Sequence, residues 1–155
     1  MLRAIRTVAL IGTMAILLAL VGTVAATAQS SNVVQVWKDP YCGCCVKWIN
    51  QMKAAGFQIR VHNTNDLTEI KKMLGVPDQL RSCHTAKIGD YVIEGHVPIA
   101  DVKRLLGQKP TVVGISVPGM PIGSPGMEVR TGETEPYEVA TFDKNGATSV
   151  FAKHN

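Results

Sequence analysis

Three cysteines stand within four consecutive residues, Cys42-Gly43-Cys44-Cys45, directly after a strand-like run and ahead of a helix-like one. No other feature constrains the chain as tightly. Sulfur at a strand-to-helix junction points to an α/β layer whose helix N-terminus carries the chemistry, because the free N–H groups and the helix dipole there stabilise thiolates. Cys42 and Cys45 have the C-x-x-C spacing of a dithiol redox site. Cys44 is a further thiol that dithiol exchange does not need and a soft-metal site does. The fourth cysteine, Cys83, arrives in Ser82-Cys83-His84-Thr85.

Around these residues the pattern alternates between strand and helix. Asn32 to Trp37 reads as a β-branched strand closed by Asp39-Pro40, and Cys45, Trp48, Ile49, Met52 and Ala55 recur at helical spacing before Gly56. Phe57 to His62 alternates as a second strand. Asp66 with Glu69 resembles a capping box for a helix through Leu67, Ile70, Met73 and Leu74. Gly89-Asp90 joins two strand-like tetrapeptides, and a third helix runs from Pro98 through Val102, Leu105 and Leu106 to a stop at Gly107. Met52 and Met73 belong to apolar helical stripes and are expected in the core. Residues 108–136, rich in proline and glycine, read as an irregular loop packed on the domain. A last hairpin is expected from Tyr137 to Phe142 and Ala147 to Phe151 around Asn145-Gly146.

Arg3 and Arg6, the apolar run Val8 to Val21 and the small residues up to Ala26-Thr27-Ala28 have the form of a secretory signal. Residues 1–28 are therefore expected to be a signal peptide, and residues 29–155 one periplasmic domain without stable membrane insertion. Discounting the leader leaves 14 basic and 12 acidic residues. So balanced a charge, with no basic cluster interleaved with aromatics, argues against nucleic acid as a partner.

In an oxidising compartment four cysteines also allow two structural disulfides, and Cys42–Cys45 allows thiol-disulfide exchange. Their companions favour a metal. Two thioether-bearing loops, Pro118-Gly119-Met120-Pro121 and Ser124-Pro125-Gly126-Met127, add soft donors, and His84 and His96 add imidazole. Several thiolates with thioethers and imidazole suit Cu(I), whereas zinc has little use for methionine. The expected metal residues are Cys42, Cys44, Cys45, Cys83, His84, His96, Met120 and Met127. So many thiolates exceed the need of one Cu(I), which makes a cysteine-bridged, multinuclear copper site the expectation. His62 and His154 are expected to be ordinary solvated histidines, the latter at a frayed terminus, while Trp37, Tyr41 and Trp48 are expected to flank the site.

The β-α-β-α-β-β-α order with C-x-x-C at the first strand-to-helix junction resembles a thioredoxin-like α/β domain, here with a C-terminal loop and β-hairpin extension. In that architecture the loop entering the third strand lies against the cysteines and usually presents a proline, a position held here by Ser82-Cys83-His84-Thr85. Together with Tyr91-Val92-Ile93-Glu94-Gly95-His96-Val97-Pro98 and the two Gly-Met loops, these motifs resemble the CopG-type family of periplasmic copper-resistance proteins, formerly known only as a domain of unknown function. The resemblance implies a thioredoxin-like fold, a cysteine-bridged copper cluster and a role in copper tolerance through interconversion of Cu(II) and Cu(I). Its implied partners are copper ions and periplasmic copper export or chaperone proteins. A thiol-disulfide oxidoreductase and a passive Cu(I) chaperone or buffer are the alternatives.

Overall fold

Val34, Val36 and Lys38 point to one buried face of the first strand, β1 (Val33–Lys38), and this alternation sets the pattern on which the rest of the chain packs. The computed structural model describes residues 33–155, so the signal-peptide reading of residues 1–28 lies outside the described residues. After β1 come α1 (Gly43–Ala54), β2 (Gln58–Asn63), α2 (Thr68–Met73), β3 (His84–Ile88), β4 (Tyr91–Glu94), α3 (Ile99–Gln108), β5 (Gly114–Ser116), β6 (Tyr137–Phe142) and β7 (Thr148–His154). A single 3₁₀ turn, Asp78–Leu80, precedes β3.

The strands form one seven-stranded mixed sheet in the order β2-β1-β3-β4-β5-β6-β7. β1 runs parallel to β2 and antiparallel to β3, and β4 runs antiparallel to β3 and parallel to β5. This is the mixed α/β architecture that the strand and helix pattern indicates. The core gathers Val34 and Val36 of β1, Trp48, Ile49 and Met52 of α1, Ile88 and Ile93 of the β3–β4 hairpin, and Leu105 of α3. α1 thus presses its apolar stripe on the sheet and leaves its N-terminus at the sheet's end, which is where the cysteines lie.

Several local expectations change. Met73 is 71% exposed rather than in the core. α2 is only six residues long, and the one residue it buries is Lys71, drawn inward by Glu94, so the ion pair rather than the apolar stripe selects the inner face. Asp66 does not cap this helix; its carboxylate accepts the Thr68 N–H at 2.8 Å as an Asx-type turn, and the N-cap falls on Leu67. Gly107 lies within α3, whose left-handed cap is Lys109 with φ 49°. The stretch 108–136 contains β5, three buried residues too short to show an alternation. His154 is not frayed: as part of β7 it stacks on Tyr137 with ring centroids 5.0 Å apart and meets Asp101 at 2.7 Å.

Candidate metal centre

A tight turn delivers the sulfurs to α1. The Cys42 N–H donates to the Asp39 carbonyl at 3.1 Å, and Cys42 becomes the helix N-cap, its Sγ accepting the Cys45 N–H at 3.3 Å. No acidic residue in the first turn offsets the positive end of the helix dipole. Cys42 and Cys45 are joined as a disulfide, whereas Cys44 and Cys83 are free. Cys44 Sγ lies 3.4 Å from Cys42 Sγ, and Cys83 Sγ lies 3.5 Å from Cys45 Sγ. All four sulfurs fall within 4.8 Å of one another, as the sequence leads one to expect of a single cysteine site. In this oxidised form only Cys44 and Cys83 can act as thiolates. Two electrons and two protons convert the disulfide to two thiols and restore four donors.

The histidines complete a second, overlapping group of Cys83, His84 and His96. His96 is fully buried in the turn before α3, with Nε2 2.9 Å from Cys83 Sγ and Nδ1 2.8 Å from the Pro125 carbonyl. A carbonyl only accepts, so Nδ1 carries the proton and Nε2 presents its lone pair to the sulfur. Burial holds His96 below the usual range for imidazole, against the opposing pull of Pro125 and Glu128. Burial, reinforced by His96, Lys71 and Lys38, holds His84 well below it. Both rings are therefore neutral and free to donate to a metal. Burial, then the neighbouring Cys44, pushes the Cys83 thiol up to about 12, so in the metal-free form its S–H is available to His96 Nε2.

His84 Nδ1 lies 3.4 Å from Cys83 Sγ, while its Nε2 is buried without a hydrogen-bond partner. An unsatisfied buried polar nitrogen costs about 1–3 kcal/mol, a penalty more often tolerated in functional sites than elsewhere. Trp48 covers the ring at 4.6 Å between centroids, and its own Nε1 donates to the Val97 carbonyl at 2.9 Å. Of the three aromatics expected to flank the site, Trp48 does so. Trp37 instead stacks on His62, and Tyr41 is 91% exposed.

The segment Ser82–Thr85 is held from behind by a buried carboxylate. Glu94 accepts the Ser82 N–H at 2.6 Å, the Lys71 ammonium at 2.5 Å and the Thr85 hydroxyl at 2.6 Å. Every oxygen of this inner ion pair is occupied, which fixes the backbone on both sides of Cys83 and His84. From the other side comes the loop after β5. Gly126, with φ +93°, packs so closely that a side-chain carbon there would sit 2.7 Å from the Cys44 carbonyl oxygen and 3.2 Å from His96 Nδ1. The loop is pinned further by Glu128, which accepts from Gly126 N at 2.9 Å and from Gln51 of α1 at 2.6 Å. Met127 follows this contact and is half-buried, whereas Met120, beside the Ser82–Gly119 bridge, is 51% exposed.

Sequence reasoning did not single out Lys71, Glu94 or the Pro125 carbonyl. A glutamate inside the apolar strand Tyr91-Val92-Ile93-Glu94 was the available signal for the first two. A backbone carbonyl leaves none.

A family model described as a protein of unknown function, DUF411, matches residues 80–127, the stretch that holds Cys83, His84, His96, Met120 and Met127. No curated protein matches the chain. Among solved structures, "Copper resistance protein copG- Form 1" matches with a TM-score of 0.74 and 41% identity, over 79% of this chain and 96% of that one. Form 2 of the same protein matches with a TM-score of 0.75 and 41% identity, over 79% of this chain and 98% of that one.

Proposed function

The chain belongs to the CopG family of copper resistance proteins, and from that premise we propose that it binds copper through Cys42, Cys44, Cys45 and Cys83 and serves copper tolerance. The observation that carries the reading is the convergence of four sulfurs within 4.8 Å, with a neutral imidazole nitrogen 2.9 Å from one of them. Sulfur donors this close can be shared between ions, which favours a multinuclear, cysteine-bridged arrangement over an isolated one. His84 and His96 are the nitrogen donors in this reading. Met120 and Met127 supply thioethers or shield the sulfurs.

The disulfide adds an electron balance. Oxidation of the Cys42 and Cys45 thiols to the disulfide releases two electrons and two protons, enough to convert two Cu(II) to two Cu(I). Copper is thus both ligand and redox substrate in this reading, which rests on a thioredoxin-like core with a sulfur-bearing helix N-terminus. The protein is exported to the periplasm under the leader-like residues 1–28, and hands copper to export or chaperone proteins there.

A thiol-disulfide oxidoreductase is the second reading, favoured by a C-x-x-C disulfide at a helix N-terminus. Against it, a thiol and an imidazole, Cys83 and His84, hold the third-strand entry where thioredoxin-like exchange domains usually present a proline, and Cys44 is a thiol that dithiol exchange does not need. Cys44→Ala separates the two because it keeps the disulfide pair and removes a thiol that only copper needs. In cells challenged with copper, loss of tolerance with insulin-disulfide reduction retained supports the copper reading. Intact tolerance with insulin reduction abolished overturns it.

A further inference from the structure

The turn Ser124-Pro125-Gly126-Met127 closes with the Met127 N–H donating to the Ser124 carbonyl at 2.7 Å. Proline in its second place and glycine at φ +93° in its third are the signature of a type II turn, which needs a left-handed third residue. Only glycine fits there, because a side-chain carbon on Gly126 would also sit 3.1 Å from the Trp48 nitrogen, inside the first turns of α1.

The peptide unit joining Pro125 to Gly126 is held at both ends. Its carbonyl accepts the His96 Nδ1–H at 2.8 Å, and its N–H donates to Glu128 Oε1 at 2.9 Å. The same carboxylate oxygen accepts the Gln51 side-chain amide of α1 at 2.6 Å. The carbonyl and N–H of a planar trans peptide point in opposite directions, so the direction of one fixes the other. Turns of types I and II differ chiefly in the rotation of this central peptide. Rotated, the unit would aim its N–H at His96 Nδ1 and its carbonyl at the Glu128 carboxylate. Two acceptors would then face one another with no proton between them. Glu128 opposes that state and, with it, the tautomer in which Nδ1 accepts and Nε2 carries the proton toward Cys83.

We propose that Glu128 is the positioning residue of the His96 donor: by holding the Gly126 N–H it keeps the Pro125 carbonyl on Nδ1 and leaves the Nε2 lone pair facing the sulfurs. It acts through the shared peptide unit. The role deepens the copper reading and rests on it, but its test reads the imidazole in copper-free protein, so the two fail separately.

Protein with isotope-labelled histidines is prepared copper-free, with the disulfide intact, at about pH 8, where an imidazole is neutral. Long-range proton–nitrogen correlation NMR reads which ring nitrogen of His96 carries the proton, and circular dichroism checks the fold. Glu128 is exposed, so Glu128→Ala removes the acceptor without opening the core, whereas Glu128→Gln keeps an acceptor oxygen. The expected result in Glu128→Ala is a fall of about three- to tenfold in the ratio of the Nδ1–H to the Nε2–H form, the worth of one ordinary hydrogen bond, with the ratio restored in Glu128→Gln. A wild-type ratio in folded Glu128→Ala, an equal shift in Glu128→Gln, or loss of the fold in Glu128→Ala would leave Glu128 a mere clasp between the loop and α1 and overturn the proposal. A wild-type chain that takes up no copper overturns the copper reading alone and leaves the tautomer result standing.

Discussion

Cys83 Sγ and His96 Nε2 stand 2.9 Å apart, and the opposite nitrogen of that imidazole is committed to the Pro125 carbonyl. The contact joins the start of β3 to the turn before α3, and the carbonyl comes from the irregular loop after β5. The loop therefore fixes the tautomer of His96 and, with it, which nitrogen faces the sulfurs. Through Pro125 and Gly126 this one loop meets both His96 and the Cys44 carbonyl, beside the four sulfurs that lie within 4.8 Å of one another.

Replacing Cys83 by serine removes the sulfur that contacts both Cys45 and His96. If the sulfurs are shared between ions, Cys83→Ser lowers the number of copper ions per chain rather than only weakening their hold. Metal analysis of the anaerobically loaded variant checks this, and an unchanged count places Cys83 outside the site.

Glu94→Ala strands the Lys71 ammonium in the interior and frees the Ser82 N–H. Breaking a buried pair from one side costs about 3–5 kcal/mol, so urea denaturation is expected to show a loss of that order. An exposed pair would lose about 1 kcal/mol or less, and a loss that small contradicts the anchoring role of Glu94.

Metal-free protein with the disulfide intact is expected to be most stable between about pH 6.5 and 9. Burial depresses His84 and His96 below 6.5, so the unfolded chain binds protons that the native chain refuses, and stability falls as pH drops below 6.5. Cys83 is raised from 9.0 to about 12, so the unfolded chain sheds a proton that the native chain keeps, and stability falls as pH rises above 9. Each group contributes up to about 1.4 kcal/mol per pH unit within its window. Denaturation midpoints across this range test it, and a curve still rising below pH 6.5 contradicts the burial of neutral imidazoles.

Met120 and Met127 separate donor from packing roles. Changing both to leucine conserves volume and apolarity, so stability is expected to change by less than about 1.5 kcal/mol while copper retention against a chelator falls. Equal loss of both would make them packing residues.

The strand and helix order was legible because apolar periodicity is strong in β1, α1, the β3–β4 hairpin and α3. β5 was not, since three residues cannot display a period. The convergence of Cys83 on the first three cysteines followed from the resemblance to a thioredoxin-like architecture, in which the loop entering the third strand lies against the cysteines, and Trp48 was rightly expected beside the site. Met73 misled because in a six-residue helix the Lys71–Glu94 attraction outweighs an apolar stripe. Lys38 was readable in principle: alternation through Val34 and Val36 places it on the buried face. The tautomer of His96 was not, because a backbone carbonyl from a loop without regular structure decides it.

The most direct test is metal analysis of the wild-type chain isolated anaerobically from copper-supplemented cells, combined with a thiol count after metal removal without any reductant. A shared-sulfur copper site requires copper above one equivalent per chain and four titratable thiols. One equivalent of zinc, or no metal with Cys42–Cys45 and Cys44–Cys83 both oxidised as isolated, would contradict it.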